Sequence, residues 1–163
     1  MKRYLLLFIS LVGLNFPPVK SQSPERGIAL PISTHNAIDL DFGYNGTSYF
    51  TVNYDHMFFL KPVRFGPAVL LRGGLGDGLK PGYGIIILTE AAYTTGYLTF
   101  AELGFGYMGQ TNTGHWQHLP YFLASFRYRA NRGLSIRLTS RLIMNPSEEV
   151  PLFGMGISAG YTF

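Results

Sequence analysis

The 163-residue chain has no cysteine, a single tryptophan at Trp116, and only 13% charged residues. Without cysteine there is no disulfide framework, no thiolate metal site and no acylated cysteine behind a leader. Past residue 22 no apolar run approaches the roughly 18 residues that mark a transmembrane helix. Charge of one sign is scarce as well. The formal +4 reflects 13 basic and 9 acidic side chains, but Lys2, Arg3 and Lys20 belong to the first 21 residues, which hold no acid; the remainder carries 10 against 9, or +1. The arginines that are left are spread over alternating segments, so nucleic acid is excluded as a partner.

What is present is glycine, phenylalanine and tyrosine, at 20, 13 and 11 residues. Lys2 and Arg3 precede the apolar run Tyr4 to Leu14, and Val19 and Ser21 stand at the −3 and −1 positions of a cleavage site. This pattern reads as a signal peptide over 1–21, cleaved after Ser21. A periplasmic N-terminal segment over 22–35 and a β-barrel over 36–163 follow.

The last segment, Leu152 to Phe163, alternates cleanly. Phe153, Met155, Ile157, Ala159, Tyr161 and Phe163 share one face, and Gly154, Gly156, Ser158, Gly160 and Thr162 share the other. An uncovered strand with that apolar face invites aggregation in water, whereas lipid covers it in an outer membrane. Turn chemistry divides the chain into eight such segments: Asn36 to Phe42, Ser48 to Met57, Val63 to Gly73, Tyr83 to Tyr93, Tyr97 to Met108, Trp116 to Arg129, Leu134 to Met144 and Leu152 to Phe163. The expected fold is all-β: an eight-stranded antiparallel up-and-down transmembrane β-barrel. Connections at Leu60, Thr94 and Ala130 are short and expected on the periplasmic side. Those at Gly74 to Gly82, Gly109 to His115 and Asn145 to Pro151 are expected as longer outer loops. Asn45-Gly46-Thr47 fits a glycosylation pattern, but a hairpin turn accounts for it.

Alternation sorts the charges to the face opposite the apolar one. Asp39, Asp41, Asp55, Glu90 and Glu102 are expected inside, facing Arg64, Arg72, Arg127, Arg129, Arg137 and Arg141. A barrel of eight strands is only wide enough for its side chains to fill, so these groups must pair. Tyr93, Tyr97, Tyr128 and Tyr161 would form an aromatic girdle at the periplasmic boundary, and Tyr83, Tyr107 and Trp116 one at the outer boundary.

No residue set points to a reaction, a cofactor or a metal. His115 and His118 are three apart in a strand and point to opposite faces. A lipid-modifying enzyme could draw on His56 or His118 with Ser140, but no acid converges on them. Gly73 to Gly78 resembles a phosphate loop only loosely, since no helix follows. The functional expectation is a structural, anchoring or surface-interaction role. The alternatives are a narrow channel for small solutes, a lipid-modifying enzyme, and a soluble barrel with its apolar face inside.

The runs His35 to Gly46, Tyr49 to Asp55, Tyr121 to Arg129 and Gly154 to Phe163 together resemble the small outer-membrane β-barrel proteins of Bacteroidota, within the OmpA-like barrel superfamily. Asp55 stands where the pattern tends to show Glu, and Ser125-Phe126-Arg127 replaces Gly-Tyr-Arg. Most members have no assigned function, so the resemblance implies no active-site residues. It does imply outer-membrane lipid as the surroundings and the barrel assembly machinery as a partner reading Tyr161 and Phe163 by strand addition. An outer-membrane protein partner is a further possibility on this reading.

Overall fold

Period-2 patterning with glycine at the bends commits the chain to strands whose hydrogen bonds must all close on one another. The computed structural model describes residues 35–60, 67–96, 98–130, 133–146 and 150–163. Its eight strands are β1 (Asn36–Tyr44), β2 (Ser48–Phe59), β3 (Ala68–Gly78), β4 (Tyr83–Gly96), β5 (Thr99–Asn112), β6 (His115–Arg129), β7 (Gly133–Ile143) and β8 (Leu152–Thr162). Each pairs antiparallel with its sequence neighbour, and β1 pairs with β8, closing the barrel. At the seam Asp41 lies opposite Ser158 and Asp39 opposite Gly160.

Three expected boundaries are corrected, the first being the connection at Thr94, which is strand because β4 runs through Gly96. The third strand does not end at Gly73 but continues through Gly78. Its glycines are strand residues: a Cβ on Gly76 would run into the Phe50 carbonyl, and one on Gly74 into the Asn53 amide. Bare backbone there lets neighbouring strands approach as closely as a narrow barrel requires. The expected loop Gly109 to His115 is mostly strand as well. β5 runs to Asn112 and β6 starts at His115, so Thr113 and Gly114 form a two-residue turn with φ of 47° and 82°. Positive φ at both positions matches the twist of the flanking strands.

The expected asymmetry of loop length is corrected with them. At the end away from the termini the connections are 45–47, 79–82, 113–114 and 144–151; at the other end they are 60–67, 97–98 and 130–132. The longest on each side has the same length. Of the third strand as expected, 63–66 lies outside the described residues, and so does Arg64. The expected leader, 1–21, and residues 22–34 lie outside them too.

A bulge between Tyr83 and Ile86 in the β4–β5 ladder shifts one girdle residue. Tyr83 pairs with Asn112, which shares a face with buried Gln110, so Tyr83 belongs to the lumen side and packs against Gly78. One inserted residue reverses the faces of all that precede it in the strand. Tyr97 lies outside the described residues. Tyr93, Tyr128 and Tyr161 are exposed on the outer wall at the end carrying the termini, and Trp116 is exposed at the other.

Candidate functional site

The lumen is stratified. Inward positions nearest the termini include the apolar Ala37, Met57, Ala68, Leu70, Ala92 and Phe100 on β1 to β5, with the polar Thr94, Arg129, Ser135 and Thr162 beside them, all buried. The opposite third holds Ile86, Leu88, Met108, Leu119 and Ile143, also buried, with Leu152 packed against them. Between these apolar layers lies a sheet of charge.

Direct strand pairing accounts for one ion pair, Asp55 with Arg72, and most of the others reach across the lumen. Asp55 and Arg72 are direct partners across β2 and β3, as are Arg72 and Glu90 across β3 and β4. Arg127 on β6 donates through Nη1 to Asp55 Oδ2 at 2.5 Å, and its Nε lies 2.7 Å from Glu102. Arg137 on β7 joins Glu90 at 2.6 Å to Glu102 at 2.7 Å. Arg141 joins Asp41 at 2.9 Å to Glu90 at 3.1 Å. Arg72 contacts Asp55 at 3.3 Å and Asp39 at 3.7 Å. Arg72, Arg137 and Arg141 therefore each touch two carboxylates and Arg127, with Asp39 at 3.8 Å, touches three, while each of Asp39, Asp55, Glu90 and Glu102 touches two arginines. A planar guanidinium with five donors suits such bridging; a lysine ammonium does not.

Arg129 stands apart, near the terminal end, where its Nη2 donates to the Asn36 carbonyl at 3.0 Å. Among the described residues, five carboxylates (Asp39, Asp41, Asp55, Glu90, Glu102) and five arginines (Arg72, Arg127, Arg129, Arg137, Arg141) are buried in the lumen. The balance matters because an uncompensated charge in such an interior costs several kcal/mol.

Neutral side chains complete the layer, and Tyr49 carries a part the alternation did not reveal. Its hydroxyl accepts from Arg141 Nη1 at 2.6 Å, while the Tyr121 hydroxyl donates to Glu90 at 2.9 Å. The Arg141 guanidinium lies 6.0 Å from the Tyr49 ring centroid and 5.6 Å from that of Tyr121, within reach of both π faces. Each tyrosine sits opposite a glycine, Gly43 and Gly106, whose missing side chain leaves room for the ring. That cross-strand Tyr–Gly coincidence is the signal that could have found them. Ser125 donates to Glu102 at 2.6 Å and Ser158 to Asp41 at 3.0 Å. The apolar layers were missed because Ile85 to Leu88 and Val69 to Leu71 read as unbroken apolar runs, hiding which members turn inward.

The mouth away from the termini is crossed by the β1–β2 hairpin. Asn45 and Thr47 at its tip are buried, and Asn45 Nδ2 reaches Met108 Sδ at 3.1 Å. β1 and β5 are diametrically opposed in a ring of eight, so the tip spans the opening. A buried Asn45 in a tight turn is not a glycan acceptor.

The residues weighed for catalysis do not converge. Ser140 pairs with Ala124 on β6, six residues from His118 along that strand, about 20 Å away. His118 instead hydrogen bonds Tyr107, and His56 bonds Asn36 Oδ1 at 2.8 Å. His56 lies on β2, separated from the β7 position of Ser140 by β1 and β8. Among the described residues no three His, Cys, Asp or Glu side chains are grouped to hold a metal.

The crystal structure of the N-terminal β-barrel domain of Pseudomonas aeruginosa OprF aligns with this chain at a TM-score of 0.58 and 12% identity, over 80% of this chain and 98% of that domain. The likeness is one of fold. No family model and no curated protein matches the sequence.

Proposed function

We propose that the chain is an integral outer-membrane barrel whose lumen is a sealed, charge-balanced plug, and whose role is structural, anchoring or surface interaction. The carrying observation is the inverted distribution of side chains. Arginine and carboxylate fill the interior, while Ile38, Leu40, Phe42, Leu103, Phe105, Phe122 and Ile157 stand about half exposed or more on the outer wall. Water would penalise that wall; hydrocarbon does not. Eleven residues, the length of β3, β7 and β8, rise about 25 Å at a tilt near 45°, matching the apolar band of such barrels.

On this reading the chain is exported by the 1–21 leader and inserted by the barrel assembly machinery through Tyr161 and Phe163, and both termini face the periplasm. The channel alternative is disfavoured by the paired charges that fill the middle of the lumen and by the hairpin across the mouth. The enzyme alternative is disfavoured by the separation of Ser140 from either histidine. The test is reconstitution. Folded protein should migrate faster on gels before heating than after, and should insert into lipid vesicles. In planar bilayers it should give no stable conductance steps. Protein that folds and stays monodisperse without detergent would refute the membrane reading, and reproducible conductance would refute the plug.

A further inference from the structure

Past the apolar belt, the outer wall of the β5–β6 hairpin changes chemistry over a few residues. Phe105 pairs with Phe122, then Tyr107 with Pro120, Gly109 with His118, and Thr111 with Trp116. The first pair is 65% and 60% exposed and wholly apolar. The positions that follow carry a phenol, an imidazole and an indole. Such amphipathic rings sit where hydrocarbon gives way to headgroups.

These rings are held in place. Tyr107 Oη and His118 Nδ1 are 2.5 Å apart, so Nε2 is the imidazole nitrogen left for another partner. Trp116 lies over Gly109, where any Cβ would meet its ring, and the bare glycine lets the indole rest against the strand. β6 also outruns β7. Their register begins at Tyr121 with Ile143, and Met144 N donates to the Pro120 carbonyl just beyond it. Backbone groups of alternate residues share a side, so those of His118 and Trp116 point the same way as that carbonyl, where among the described residues no strand pairs with them.

We propose that this patch binds the phosphate of an anionic membrane lipid. With the Tyr107 hydroxyl donating to Nδ1, the His118 proton resides on Nε2 and serves a phosphate oxygen. The Trp116 indole N–H and the β6 edge amides add donors. No carboxylate stands on the outer face of either strand to oppose an anion. The inference rests on the membrane reading above.

Because Trp116 is the chain's only tryptophan, its fluorescence reports on the patch alone. Whole protein is inserted into phosphatidylcholine vesicles containing increasing phosphatidylglycerol. The expected result is a saturable emission shift that depends on phosphatidylglycerol. It should need about tenfold more anionic lipid in His118→Phe, as for loss of one charge-assisted hydrogen bond, and somewhat more in Tyr107→Phe. Identical spectra with and without phosphatidylglycerol, or a His118→Phe titration matching the parent, would overturn the proposal. An equal shift from inorganic phosphate in phosphatidylcholine alone would overturn the assignment to a lipid. Heat-modifiable migration is scored on the same samples. Its absence in every vesicle would sink the membrane reading and this inference together, whereas its presence without a shift sinks only the inference.

Discussion

Arg137 is the most informative residue to remove. Its Nη1 lies 2.6 Å from Glu90 and its Nε 2.7 Å from Glu102 and 3.2 Å from Ser125, all buried. Arg137→Met keeps much of the volume and deletes the charge. Glu90 keeps Arg141 and Glu102 keeps Arg127, so neither acid is orphaned, but the layer is left with one uncompensated negative charge. Breaking a buried pair in this way costs about 3–5 kcal/mol. At a urea dependence of about 2 kcal/mol per molar, the unfolding midpoint in detergent micelles should fall by about 2 M. Trp116 emission and heat-modifiable migration both follow the transition. The second arm adds Glu102→Gln, which restores neutrality while leaving Ser125 an oxygen partner. The double variant should be more stable than Arg137→Met alone, with a coupling of about 1–3 kcal/mol. An unchanged midpoint in Arg137→Met would refute the packed network. A double variant weaker than Arg137→Met by the full cost of Glu102→Gln alone would show that charge balance is not what the layer requires.

Other expectations follow from single contacts. A Cβ at Gly156 would lie 2.7 Å from Arg141 Nη1 and 3.1 Å from Asp41 Oδ1. Gly156→Val should therefore lower stability by about 1–3 kcal/mol in the same urea assay, while Gly73→Ala, where a Cβ meets nothing within 4 Å, should stay within about 0.5 kcal/mol. Thr113 holds φ at 47°, so Thr113→Gly should raise the midpoint by up to about 1 kcal/mol equivalent; a fall would show that the Thr113 side chain makes up the backbone cost. Phe163, whose N–H donates to the Asn36 carbonyl at 3.1 Å, ends the strand on the outer wall. Its deletion should reduce the outer-membrane fraction on immunoblots of separated membranes, and an unchanged yield would remove it from the assembly signal.

Period-2 alternation made the fold legible because a strand has only two faces and this chain assigns them consistently. Asp39, Asp41 and Asp55 against Ile38, Leu40 and Tyr54 suffices to orient the first hairpin. Glycine misled the boundaries. In water-facing sequences a run such as Gly73 to Gly78 marks a loop, but in a narrow barrel the same residue permits close strand approach, and only the neighbouring strand decides between them. The bulge at Tyr83 was invisible for a related reason: an inserted residue changes no composition and is defined by its partner's register. Within the charge layer, sequence gave the sign and face of each group but not the pairing, because partners such as Asp41 and Arg141 are 100 residues apart and meet only in the closed ring.

That separation in sequence has a consequence for how the barrel comes to be unique. Asp41 on β1 reaches Arg141 on β7 across the lumen face of β8, which is why that face is Gly154, Gly156, Ser158 and Gly160. Before the β1–β8 seam forms, Asp39 and Asp41 lack their place opposite Gly160 and Ser158, and Arg141 lacks one of its two acids. A seam slipped by one residue would turn the glycine face outward and drive Met155 or Ile157 into the charge layer. Buried ion pairs add little net stability over well-packed apolar groups, but a misregistered one is costly. The layer is therefore better understood as selecting one register of closure than as holding the barrel together. The apolar layers sharpen that selection, since excluding water strengthens every correct pair and raises the penalty on every wrong one.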